Sequence, residues 1–208
     1  TTEATLQKVA VEAWSELLVA GTVADQYRPT LYDFLAPEAL DFYASGEQAG
    51  AKGEDAFELS ADSPVFAPAA EFVVWKIATT DESSPTVKAL RLLQKLATFH
   101  QTDAQPAARR AVDLDRLVFG SNKAVGEEKK ARYIAALKRF AEQNGDHEIL
   151  ASARFHWASA LHDDNQPAEA HAIASQGAKV FPRSLGGQQC LQLVKLIEEA
   201  EEQGYQVD

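Results

Sequence analysis

Residues 146–183 read DHEILASARFHWASALHDDNQPAEAHAIASQGAKVFPR, and this stretch decides the fold. Its apolar residues recur at helical spacing on both sides of a polar turn, His162-Asp163-Asp164-Asn165. Ala158 lies on the first helix of the pair, Ala170 lies on the second, and Pro182 closes the unit. Two helices approach closely only where one offers the other a small side chain, so the alanines mark the seam. A single hairpin of this kind cannot bury both of its faces and needs stacked neighbours.

The neighbours are present on either side. Toward the C-terminus, Gln188 to Glu202 carries Leu191, Val194, Leu196 and Ile197 in a helical stripe, and Gly186-Gly187 before it reads as a tight turn. Toward the N-terminus, helices are expected over 127–143 (Ala131, Ile134, Leu137, Phe140), over 107–119 with Gly120 beyond the end, and from the Ser84-Pro85 start to His100 (Val87, Leu90, Leu93, Leu96). Ser63-Pro64 opens a single turn, and Pro68 forces a fresh start for a helix over 69–78. Residues 27–43 are helical with an interruption at Pro37, and 5–20 form a first helix through Leu6, Val9, Trp14 and Leu17.

Between Ala44 and Ser63 the period disappears among Gly46, Gly50 and Gly53 and several acids, with Phe57 and Leu59 pinning the far end. No alternating strand pattern survives. The expectation is therefore all-α, as stacked antiparallel helix hairpins. Spacing of small residue, small residue and terminal proline is similar to the tetratricopeptide repeat, whose period is about 34 residues. The chain divides into an N-terminal helical hairpin (1–45), a flexible acidic loop (46–63), and a tetratricopeptide-like region (64–208) that forms one continuous α–α superhelix with the first.

A net charge of −11 argues against nucleic acid as partner. No run of 18 apolar residues is present to span a membrane. One cysteine, Cys190, excludes an internal disulfide framework. Methionine is absent even at position 1, which fits a processed segment whose leader has been removed. Charge is unevenly spread: residues 85–140 hold 12 Lys and Arg against 5 Asp and Glu. Solvated helix faces explain much of that excess; the sharper reading is a basic middle that docks an acidic protein or peptide, or another domain of the same polypeptide. Arg109, Arg110, Arg116, Lys129, Lys130 and Arg132 are its candidate partner-binding residues.

The residues supply no catalytic constellation, metal site or cofactor motif. None of the five histidines falls in an HExxH arrangement, and both phosphate-binding glycine loops are absent. His162-Asp163-Asp164 suits helix termination better than metal binding. His100 is in register with Leu93 and Leu96 and reads as a packed, hydrogen-bonded histidine. Cys190 has no His or Lys close in sequence to activate it and reads as a buried thiol. Glu127-Glu128 offset the dipole of the helix they open.

Several blocks resemble the helical N-terminal region of bacterial alpha-2-macroglobulin-like proteins. They are Leu31-Tyr32-Asp33-Phe34-Leu35-Ala36 with Ala39-Leu40-Asp41-Phe42-Tyr43, Phe57-Glu58-Leu59-Ser60, Gly126-Glu127-Glu128-Lys129 with Tyr133 and Ala135-Ala136-Leu137, and Phe181-Pro182-Arg183-Ser184 followed by Gly186-Gly187, Cys190, Leu193 and Ile197-Glu198. Their order and spacing carry the resemblance. It implies a non-catalytic interaction module ahead of macroglobulin-like β domains, in a secreted or periplasmic envelope protein. That family's thioester joins a cysteine to a glutamine three residues later; after Cys190 come Leu191, Gln192 and Leu193, so the glutamine is one residue short. Two other readings stay open: a hydrolase on a helical solenoid acting on the cell envelope, and a purely architectural spacer.

Overall fold

The computed structural model describes residues 2–19, 21, 23–45, 56–145 and 147–205. Among these residues the chain is helical throughout, with isolated bridges at Ala10–Thr30 and Ser60–Val125 and no strand. The α-helices are α1 (Glu3–Leu6), α2 (Leu31–Ala44), α3 (Ala69–Val74), α4 (Pro85–Phe99), α5 (Ala107–Lys123), α6 (Lys129–Asn144), α7 (Ile149–His162), α8 (Pro167–Val180) and α9 (Leu185–Tyr205). Contacts group them into two units, Thr1–Glu127 and Glu128–Asp208. The boundary between the two units falls after Glu127. Most of the acidic loop expected at 46–63 lies outside the described residues.

In the first unit α4 is central and packs against α2, α3 and α5. Val87, Leu90, Leu93 and Leu96 are buried on it, with His100 just beyond its end, as the period predicts. Ser84 caps its start, accepting a hydrogen bond from the Val87 amide. Helix α3 is shorter than the expected 69–78 and ends at Trp75, whose backbone is extended. Gln94 of α4 donates to the carbonyls of Phe72 and Trp75, both at 2.8 Å, and so satisfies the acceptors that a longer helix would have used.

The helix expected over 5–20 does not form. Only Glu3–Leu6 is α-helical, followed by a 3₁₀ turn at Val11–Trp14. The cause lies in the backbone: Val11 N–H donates to Pro29 O and Leu31 N–H to Val9 O, so 9–11 run antiparallel to 29–31. The apolar stripe is then only partly used; Val11 is buried while Trp14, Leu17 and Val19 are exposed. Helix α2, by contrast, continues through Pro37 without a restart.

Arg116 on α5 is the largest fully buried side chain of the described residues, 2 % exposed. Its Nη1 donates to the carbonyls of Val65 (2.9 Å) and Ala67 (2.8 Å), its Nε and Nη2 bind Asp113, and its guanidinium lies 5.0 Å from the centre of the Phe72 ring. It therefore ties the Pro64–Phe66 turn to α5 and is closed to any partner. This corrects its place among the candidate partner-binding residues: the charge is consumed inside the fold.

In the second unit α7 packs against α6, α8 and α9, and α8 against α9. Ala158, Leu161, Ala170, Ala174, Cys190, Val194 and Ile197 form its core cluster. Asn165 takes positive φ (56°) in the turn between α7 and α8, a conformation asparagine tolerates well. Gly186 and Gly187 are not a turn but the opening of α9, capped by Ser184, whose hydroxyl accepts from Gly187 N–H at 3.0 Å. Their role is closeness. A Cβ on Gly186 would stand 2.2 Å from the Ser152 amide nitrogen on α7, and one on Gly177 of α8 would stand 2.5 Å from Cys190 Sγ on α9.

The packing sets the expected stability of three variants. Gly186→Ala drives a methyl into backbone that cannot yield, and should lower unfolding free energy by about 3 kcal/mol or more in urea titration. Gly21→Ala, with nothing within 4 Å of the new carbon, should be close to neutral. Arg116→Met keeps the length of the side chain but strands the carbonyls of Val65 and Ala67, and should cost about 3 kcal/mol in the same assay.

Candidate functional site

The start of α2 and the end of α4 are joined by a buried imidazole. Thr30 and Asp33 form a capping box: the Thr30 N–H and hydroxyl donate to Asp33 Oδ2 at 3.0 and 2.7 Å, and the Asp33 N–H donates back to Thr30 Oγ1 at 3.3 Å. The other oxygen of Asp33 lies 2.7 Å from His100 Nε2, and Asp103 Oδ2 lies 2.6 Å from His100 Nδ1. Burial (His100 is 1 % exposed) disfavours the imidazolium, but hydrogen bonds and charge from both carboxylates outweigh it and raise the His100 pKa above its usual 6.5. With both nitrogens engaged and no face open, His100 acts as a clamp between helices.

Next to this clamp, α1, α2 and α4 enclose an open groove of about 390 Å³. Its floor is Leu6, Tyr32, Leu35, Ala36, Ala39 and Leu92, with Tyr43 at one side. Lys88, Arg91 and Lys95 line it from α4, where spacings of three and four residues put them on one face. Lys95 Nζ meets Glu3 at 2.9 Å and Arg91 binds Glu82, but all four side chains are well exposed, so solvent screens both pairs and neither closes the groove. Lys88 has no ion-pair partner among the described residues.

Tyr32 supplies the unusual atom. The residue is 5 % exposed and its ring packs edge-on against Phe99 at 5.8 Å, yet its hydroxyl is buried without a hydrogen-bond partner. Burial foremost, then the charges of Glu3 and Asp33, push its pKa up to about 12. The group is thus a neutral donor at any physiological pH, beneath a groove lined by cations. An unpaired buried donor is costly in a finished core and useful in a site that receives an acceptor.

The residues expected to bind a partner do not converge here. On α5, Arg109 is exposed and its Nη1 reaches the Gln101 carbonyl at 3.4 Å, Arg110 is half-buried, and Arg116 is internal. On α6, in the other unit, Lys129 is half-buried and Arg132 exposed, while Lys130 donates to Asp164 at 2.8 Å and so holds the α7–α8 turn. That contact also occupies Asp164, with Gln166 as its second donor. Lys88, Arg91 and Lys95 belong to the same basic stretch but were not singled out. Their signal was a second, polar period on α4 opposite Leu90 and Leu93.

Two other titratable groups are shielded by burial. Cys190 is fully buried, its Sγ 3.4 Å from the Ala151 carbonyl, and burial pushes the thiol up to about 11. Burial pushes His156 on α7 down to about 4. No cluster of three or more His, Cys, Asp and Glu with the arrangement of a metal site occurs among the described residues. Nor is any helix of those residues long and apolar enough to cross a membrane. Comparison of the chain with protein-family models, curated proteins and solved structures gives no match, so its chemistry is read from geometry.

The clamp has a pH signature. His100 binds its proton more tightly folded than unfolded, so its contribution is complete below pH 6.5 and is lost as pH rises through the raised folded value. His156 has the opposite sign: its contribution is present above 6.5 and is lost as pH falls toward 4. Thermal unfolding followed by circular dichroism should therefore show a maximum near pH 6.5. His100→Gln should lower stability by about 3 kcal/mol at that pH and flatten the decline that begins just above it.

Proposed function

We propose that this chain is a non-catalytic interaction module whose first unit docks a polypeptide segment in the groove between α2 and α4. The observation that carries the reading is the combination at that groove of an apolar floor, a cationic rim and the buried, unpaired Tyr32 hydroxyl. An apolar cavity with a few convergent polar groups is the general form of a ligand site. Its volume lies at the small end of the usual range, about 300–1,000 Å³, and its open side suits side chains presented by a partner better than an enclosed small molecule.

The tetratricopeptide-like organisation belongs to the same proposal. It is supported in the second unit by the mutual packing of α7, α8 and α9 through Ala158, Ala170 and Gly177, since repeats of that class present faces for proteins to bind. The position ahead of alpha-2-macroglobulin-like domains, in a secreted or periplasmic envelope protein, rests on the ordered sequence blocks from Leu31 to Glu198. Repeated β-sandwich patterns encoded beyond Asp208 would support that position, and a different architecture there would remove it.

Selection from a random displayed peptide library of about 12 residues tests the docking reading. Enriched peptides should slow amide hydrogen exchange in 31–44 and 85–99, the two helices that wall the groove, on a timescale of minutes. Failure to enrich any sequence over an unrelated helical protein, or protection confined to other helices, would refute it.

A further inference from the structure

We infer that the segment docked between α2 and α4 is an amphipathic helix with an acidic edge. This rests on the docking reading above and adds the chemistry of the occupant. Three observations converge on it.

The first is the cationic row. Lys88, Arg91 and Lys95 stand at i, i+3 and i+7 on α4 and cover about 10 Å at 1.5 Å per residue. Carboxylates repeated every three or four residues on a partner helix match that row in spacing and sign. Although the whole chain is strongly acidic, screening limits the influence of distant charges to about 8–10 Å, so the local rim governs the groove.

The second is the chain's own occupant. Helix α1 is a single turn whose Glu3 reaches Lys95 at 2.9 Å while Leu6, one turn on, lines the floor. The groove thus already accommodates one carboxylate and one aliphatic side chain at helical spacing, at the end near Lys95. Lys88, at the other end of the row, carries no such partner among the described residues. A longer helix of the same pattern engages Lys88 and Arg91 and competes with Glu3 for Lys95.

The third is Tyr32. Its hydroxyl keeps its proton under physiological conditions and can donate a hydrogen bond, and it is buried with no partner among the described residues. A peptide carbonyl or carboxylate laid over Leu35, Ala36 and Ala39 supplies the acceptor once docking shifts the tyrosine ring and uncovers its buried hydroxyl. Basic or wholly apolar side chains leave the cations of the row without a counter-charge.

The experiment uses the full 208-residue chain and two fluorescent peptides, each with leucines at i, i+3, i+4 and i+7. One carries glutamates along the flanking edge and the other lysines in their place. Fluorescence anisotropy should give saturable binding of the acidic peptide, weakened by added salt, and none of the basic one. Lys88→Glu and Leu35→Glu, both at exposed positions, should each weaken binding by about tenfold with unfolding midpoints unchanged. Glu3→Gln should strengthen it by about threefold by releasing Lys95.

Tyr32→Phe is the decisive variant. It removes an unpaired buried hydroxyl, so the free protein should be as stable as the parent or more so, yet should bind the acidic peptide about fivefold more weakly. A purely structural tyrosine would not lose affinity in that way. Equal binding of both peptides, or affinity untouched by Lys88→Glu and Tyr32→Phe, overturns the inference. So does displacement of the peptide by decanoate at lower concentration than the peptide itself requires, because a small amphiphile is then the better occupant. Library peptides that bind in the groove but lack acidic residues refute the inference alone; absence of any groove-binding peptide refutes the docking reading with it.

Discussion

A single imidazole held between two carboxyl groups sets the geometry on which the first unit depends. Asp33 belongs to the cap of α2, Asp103 follows the end of α4, and His100 bonds to both from an interior site. Removing one partner from such a group leaves charge stranded in a poor solvent, which makes the arrangement hard to loosen by degrees. It fixes the ends of two helices 67 residues apart in the chain. The groove lies between the same two helices, and Tyr32, next to Asp33 in the chain, lines it.

The two units are built by different means. The first contains several short turns, and polar side chains do much of the joining: buried Arg116 under the Pro64–Phe66 turn, and half-buried Gln94 at the end of α3 and Lys123 on the Ala44 carbonyl at 2.5 Å. Helices in the second unit are longer and meet through alanine, glycine and one cysteine, with little polar chemistry inside. Where side chains are that small, the backbones come close enough for dispersion between many atoms to hold them.

The sequence was most legible where local pattern and tertiary packing agree. Ala158 and Ala170 mark the α7–α8 seam, the leucines of α4 mark its buried face, and His100 and Cys190 read as packed because they continue apolar faces. It was least legible where a residue serves two logics. Val9 fits a helical stripe with Leu6, but the backbone groups of Val9 and Val11 pair with Leu31 and Pro29, a partner chosen by tertiary contact. Arg116 looked like surface charge, although its spacing from Val112, Phe119 and Gly120 places it on the inner face. Glycines at 186 and 187 suggest turns through conformational freedom, whereas here they matter for what they lack, a Cβ. The groove's rim was visible as a period on α4; the unpaired Tyr32 hydroxyl was not, since it depends on which distant helix lies over α2.

The contact of Gly177, Gly186 and Cys190 with α7 carries a consequence for descent. A methyl added at 177 must be matched by an atom removed at 190, because the space between Cα177 and the thiol admits no further carbon. At 186 the obstacle is main chain, which no compensating side chain can relieve. In homologous chains that keep this packing, positions 177 and 190 are therefore expected to covary in volume, while 186 stays invariant. An alignment would show one coupled pair and one fixed point, a signature independent of everything in the first unit.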